Sequence, residues 1–115
     1  MDRVCIVLPL LPGKTEEARA FQRELDTERK ADYARSERAI GITKEHWFIA
    51  ALPAGDHLVA YMESEDFAAS LGQFAASKDE FDLWFKRRLD EVTGVDLNNP
   101  PPDMQLPELV SSYEA

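Results

Sequence analysis

Two runs, Ile42-Thr-Lys-Glu-His-Trp-Phe-Ile-Ala-Ala-Leu52 and His57-Leu-Val-Ala-Tyr-Met-Glu63, decide the fold of this chain, and only Pro53-Ala54-Gly55-Asp56 lies between them. Both are rich in β-branched and aromatic residues, and the four residues joining them have the composition and length of a hairpin turn. A four-residue loop predicts that Leu52 faces His57, Ala50 faces Val59, Phe48 faces Tyr61 and His46 faces Glu63. Directly opposed residues share a side of the sheet, so these eight form one face. The other face then holds Trp47, Ile49, Ala51, Leu58, Ala60 and Met62, all apolar, and is the natural seat for helices. A register slip of one residue would exchange the faces of one strand.

Outward from the hairpin, residues 3–11 read as another strand, apolar on both sides: Val4, Ile6, Leu8 and Leu10 alternate with Cys5 and Val7. Such a strand needs cover on both faces. Pro12-Gly13 breaks it, and Thr15 reads as the N-cap of a helix over residues 16–38, with Glu16 and Glu17 suited to its first turn. The apolar stripe of this helix is Ala18, Phe21 and Leu25, after which Glu28, Arg29, Asp32, Tyr33 and Ser36 occupy the stripe positions. The expectation is that the helix overruns the sheet into water there; the alternative is that these groups look into a pocket. Ser64 caps a short helix, Glu65 to Ala76. Ser77-Lys-Asp-Glu80 is a capping box for a helix to Thr93, with Phe81, Trp84, Phe85, Leu89 and Val92 on one side. Residues 95–105, including Pro100-Pro101-Pro102, form an extended connector, and 106–113 are expected to form a last strand.

The resulting order is the ferredoxin-like βαββαβ plan: an α+β domain spanning residues 1–115, with a four-stranded antiparallel sheet and helices on one face only. Helices cover one side of the doubly apolar first strand, so a second copy of the chain is expected to cover the other. The element order, the Pro12-Gly-Lys-Thr-Glu-Glu17 helix start and the aromatic helix segment Phe81-Asp-Leu-Trp-Phe85 resemble the dimeric α/β-barrel superfamily, and the chain is most similar to an uncharacterised bacterial family of unknown function within it. The resemblance implies a homodimer enclosing a small-molecule cavity. The activities it suggests are those of an isomerase or a cofactor-independent monooxygenase acting on a small organic substrate. A non-catalytic ligand-binding or assembly domain is the alternative, and whether the chain is an enzyme stays open, because the fold does not choose a reaction.

Within the mixed face of the hairpin, His46, Glu63 and Tyr61 form the proposed acid–base group, because a carboxylate beside an imidazole orients the ring and raises its basicity. Phe48, Val59 and His57 are the expected cavity lining. An interface histidine satisfied by a neighbouring carboxylate is the competing structural role. His57 lies too far along the ladder from His46 and Glu63 for shared metal coordination, so neither a metal nor a cofactor is expected. Leu11-Pro-Gly-Lys-Thr15 lacks the earlier glycine of a phosphate-binding loop.

Composition narrows the remaining classes. The chain has 44% hydrophobic and 30% charged residues, with a net charge of −9. That surface repels a phosphate backbone, and no basic stripe offsets it, so nucleic acid is not an expected partner. The single cysteine, Cys5, cannot form an intrachain disulfide and is expected to be a buried, inert thiol. The apolar start is too short to span a membrane and lacks the pattern of a signal peptide. A cytoplasmic protein without membrane contact is the expectation.

Overall fold

The structure is a computed structural model that describes residues 1–102 and 106–115. Its elements are β1 (Asp2–Pro9), α1 (Thr15–Asp26), α2 (Lys30–Ile40), β2 (Ile42–Leu52), β3 (Gly55–Ser64), α3 (Phe67–Ala76) and α4 (Glu80–Thr93). The strands form an antiparallel sheet in the order β1-β3-β2. The hairpin pair is the most extensive contact of the sheet, as its β-rich runs predict.

The turn is tighter than expected. Leu52 pairs with Gly55, leaving Pro53-Ala54 as a two-residue loop, and Gly55 adopts a φ of 128°, which a side chain would disfavour. The pairing therefore moves by two residues: Phe48 faces Val59, His46 faces Tyr61, and Lys44 faces Glu63. A slip of two preserves the faces. Ile6, Leu8, Leu58, Ala60 and Met62 are buried beneath the helices, as are Phe21, Phe74, Phe81, Phe85, Leu89 and Val92. Phe85 is the hub of this layer, with edge-on or tilted aromatic contacts to Phe21, Phe74, Phe81 and Trp47 at centroid separations of 5.2 to 6.2 Å.

The long first helix is two helices. Thr27 leaves helical geometry at φ −125°, ψ −97°, and its hydroxyl turns back to the carbonyl of Arg23 at 2.8 Å. A β-branched residue that bonds its own preceding turn competes with helix continuation. Arg29 then stacks on Trp84, 4.4 Å from the ring centroid, and pairs with Glu80 at 3.1 Å. The chain restarts as α2 at an angle that returns Tyr33, Ser36 and Ile40 to the core instead of carrying them into water.

Local capping also differs in detail. Lys14, not Thr15, is the N-cap of α1, and the Thr15 hydroxyl donates to Asp56 at 2.7 Å. Asp66 caps α3 by accepting from the Ala69 amide, and Asp79 caps α4 by accepting from the Phe81 amide. Ser64 and Ser77 hold the residue just before each helix, accepting from the amides of Asp66 and Asp79 at 3.2 Å.

Among the described residues the sheet has three strands, and 106–113 do not add the expected fourth. Pro107 cannot donate to a ladder, and Leu109, Val110 and Tyr113 are exposed, so pairing would bury little. The segment is instead tied to the sheet by an Arg3–Glu114 ion pair of 2.6 Å. The expected connector 95–105 falls partly outside the described residues; what is described begins with Asp96 side-chain turns to Asn98 and Asn99.

Candidate functional site

The bend at Thr27 gives α2 an inward face of Tyr33, Ser36, Glu37 and Ile40, spaced as one helical stripe. Opposite it, β2 alternates Glu45, Trp47 and Ile49 toward the same interior. Two acids thus meet between a helix and a sheet. The Glu45 carboxylate accepts from the Tyr33 hydroxyl and, on the same oxygen, from the Trp47 indole N–H at 2.9 Å. Glu37 lines the same cavity and the same groove as Glu45. Its Oε2 is sealed from solvent and has no hydrogen-bond partner.

The electrostatics follow from this geometry. Burial, followed by the charge and hydrogen bond of Glu45, pushes the Glu37 carboxyl up from the ordinary 4.5 to about 10. Burial also raises Glu45, but hydrogen bonds from Tyr33, Trp47 and Glu37 act in the opposite sense by favouring its ionised form. Each carboxyl disfavours ionisation of the other, and the donors from Tyr33 and Trp47 favour charge on Glu45 over charge on Glu37. Tyr33, buried beside Glu45, is held well above its ordinary range and remains a hydroxyl donor. As whole residues Glu37 and Glu45 are half-buried, and no basic side chain among the described residues forms an ion pair with either.

The acids stand between two spaces. On the inner side is an apolar cavity of about 50 Å³ whose walls include Ile42, Trp47, Phe67, Leu71, Phe81 and Phe85, together with Glu37 and Glu45. On the outer side is a groove of about 300 Å³ between α2 and β2, bordered by Asp26, Lys30, Tyr33 and Thr43 and floored by the same two acids. An apolar recess with a few convergent polar groups is the usual form of a small-molecule site.

A second polar cluster supports the first. Asp82, buried on α4, accepts from the Ser36 hydroxyl and from the Ser77 hydroxyl, the latter at 2.6 Å. Ser36 is the residue before Glu37, so this bond pins α2 where Glu37 enters the interior. Lys86 is fully buried and donates to the carbonyls of Phe74, Ala75 and Ser77 at 2.7, 3.3 and 3.0 Å. It closes the C-terminal end of α3, where unpaired carbonyls favour a cation.

The residues singled out from sequence lie on the other face. The Tyr61 hydroxyl donates to Glu63 at 2.6 Å, and Lys44 stands 3.7 Å from the same carboxylate. These contacts, with the Tyr61 bond first, hold Glu63 below the usual carboxylate range. His46 is paired across the ladder with Tyr61, and none of the hydrogen bonds of the described residues joins it to Glu63. His57 bonds the carbonyl of Gly55 at 2.8 Å, as a hairpin residue does. Phe48 is 58% exposed and Val7 42% exposed, while Val59 and Cys5 are half-buried; the expectation of a buried Cys5 is corrected to that extent. The tail 106–115 and the sheet enclose a space of about 520 Å³ next to Tyr61 and Glu63. Among the described residues, no three His, Cys, Asp or Glu side chains converge as a metal site. No helix is long and apolar enough to cross a membrane.

Glu37 and Glu45 escaped the sequence reading, although a signal for both was present. Glu45 has the parity of Trp47 and Ile49, and Glu37 falls four residues after Tyr33 and three before Ile40. Only the bend at Thr27 turns that second spacing inward.

Comparison with known proteins places the chain. Residues 1–110 match the family of unknown function DUF6176, and the chain belongs to that family. No curated protein matches the sequence. Among solved structures, tetracenomycin F2 cyclase from Streptomyces glaucescens, a type-II polyketide cyclase, aligns over 100% of this chain and 99% of its own, at 18% identity and a TM-score of 0.58. At that identity the likeness is one of fold. The two share an α+β fold with an antiparallel sheet and helices.

Proposed function

We propose that this DUF6176 chain is a small-molecule enzyme of isomerase type, and that Glu45 and Glu37 are its base and acid. The observation that carries the reading is a pair of carboxyl groups in unlike environments at the mouth of an apolar cavity. Environments that push two carboxyl groups apart assign acid and base roles. In the reaction, the Glu45 carboxylate removes a proton from the carbon beside a substrate carbonyl. The C–H electron pair becomes the C=C bond of an enol while the carbonyl oxygen takes the Glu37 proton. Return of the enol proton to Glu37 and of a proton from Glu45 to the α carbon restores both acids and exchanges that proton. With a β,γ-unsaturated ketone the intermediate is a dienol, and return of the Glu45 proton to its γ carbon moves the C=C bond into conjugation, which is the isomerisation. No oxidant is consumed, so isomerisation needs nothing beyond the two carboxyls, whereas a monooxygenase would also need dioxygen as co-reactant.

Deuterium uptake tests this without knowledge of the product. Small enolisable ketones incubated with the protein in heavy water are expected to gain deuterium at the α carbon faster than in buffer. Uptake at the buffer rate across such a panel would leave a binding or assembly domain as the better reading.

A second reading keeps the outer face as the site, with His46, Glu63 and Tyr61 in the catalytic roles and Phe48, Val59 and His57 as lining. The Tyr61–Glu63 bond and the space beneath the tail favour it. A carboxylate held below its usual range by Tyr61 and Lys44 is a weak base near neutral pH, however. In this reading His46→Ala, and not Glu45→Gln, would abolish exchange.

The outer face has a different role in our reading. Phe48, Val7 and Leu52 (48% exposed) form an apolar sheet surface on which a second copy packs, with His46, Tyr61 and Glu63 as polar groups of the interface. Light scattering at micromolar concentration is expected to give twice the chain mass for the wild type and a single chain for Phe48→Asp. A monomeric wild type would remove the dimer.

A further inference from the structure

The cavity and its two acids also restrict what can bind. The walls behind the carboxyls are aliphatic and aromatic, and Ser70, the hydroxyl among them, is already bonded to Ser64 at 2.8 Å. The space is about 50 Å³, roughly a third of the ~150 Å³ cavity that accommodates benzene in another protein. It therefore takes a group of isopropyl size and leaves out a phenyl ring. Toward the groove, the polar groups at the site are the Glu37 carboxyl, whose Oε2 has no hydrogen-bond partner, and the Glu45 carboxylate, which already accepts from Tyr33 and Trp47.

Charge sets the second limit. Two carboxyl groups stand together here, and no ion pair among the described residues offsets them. Lys30 and Lys44 border the groove outside, and the Lys44 ammonium is drawn to Glu63 on the opposite face of the sheet. An anion beside the reacting carbonyl would lose its water and face a second carboxylate without compensation.

Resting on the acid–base reading above, we infer that the substrate is an uncharged carbonyl compound whose inward substituent is a short branched alkyl group, with no acid group next to the carbonyl. The carbonyl oxygen lies against the Glu37 carboxyl, the α carbon against Glu45, and the alkyl group among Trp47, Leu71 and Phe85.

Three probes separate size from charge: 3-methyl-2-butanone, 3-methyl-2-oxobutanoate (the same skeleton with a carboxylate in place of the methyl) and acetophenone. Binding is read from the Trp47 indole resonance, whose N–H lies at the site, and from the melting temperature. The neutral alkyl ketone is expected to bind at least tenfold more tightly than either of the others. Equal or tighter binding of the keto acid overturns the charge limit, equal or tighter binding of acetophenone overturns the size limit, and no binding of any probe overturns the inference as a whole. Deuterium uptake by the bound ketone is measured in parallel. Selective binding without uptake would remove the acid–base reading while the ligand class stands.

Discussion

Glu45→Gln is expected to lower deuterium uptake into a bound ketone by ~10²- to 10⁴-fold, the usual contribution of a positioned general base. The amide keeps the size of the side chain and can still accept from Tyr33 and Trp47, so the fold and the ketone affinity should change little. Glu37→Gln removes the acid and keeps the base, and uptake should fall less because the amide N–H can still donate to the carbonyl oxygen. Unequal losses are the signature of divided roles, and equal small losses in both variants would contradict the assignment. Measuring uptake and binding on the same samples separates a chemical defect from a lost ligand.

Lys86→Met is expected to destabilise the fold by about 3 kcal/mol, the cost of removing a charged donor that serves buried acceptors. Methionine can fill the volume, so cavity formation contributes little. What is lost is the donor to the carbonyls of Phe74, Ala75 and Ser77. For a domain near this size, that loss lowers the melting temperature by about 10 °C or more. A change under ~0.5 kcal/mol in chemical denaturation would show that the α3 carbonyls find water instead.

The hairpin was legible because composition and alternation agree there, and its faces survived a two-residue error in register since sheet parity repeats every second residue. The aromatic stripe of α4 was equally plain: Phe81, Trp84, Phe85 and Leu89 are all buried. The first helix misled because its break depends on tertiary contacts. A lone threonine is a weak local stop, and the contacts that fix the break are tertiary: Arg29 meets Trp84 and Glu80 of a distant helix. That one bend decides whether Tyr33 and Glu37 face water or the interior, so the candidate site was hidden with it. The fourth strand failed for the opposite reason. The βαββαβ order suggested it, but Pro107 and the lack of a surface to bury Leu109, Val110 and Tyr113 leave the segment unpaired.

The raised Glu37 carboxyl gives stability a pH dependence with a definite sign. Glu37 has a folded pKa above its unfolded value, so its stabilising contribution is complete below about pH 4.5 and is lost as pH rises toward 10. Stability should decline across that window by on the order of a few kcal/mol in the wild type and stay flatter in Glu37→Gln. The most direct measurement is a ¹³C NMR titration of the Glu37 and Glu45 carboxyl carbons. Glu37 is expected to remain protonated through pH 7 and to titrate far above the ordinary range, with a coupled response at Glu45. Two independent carboxyls that both ionise near 4.5 would contradict the coupling of the pair, and with it the division into acid and base.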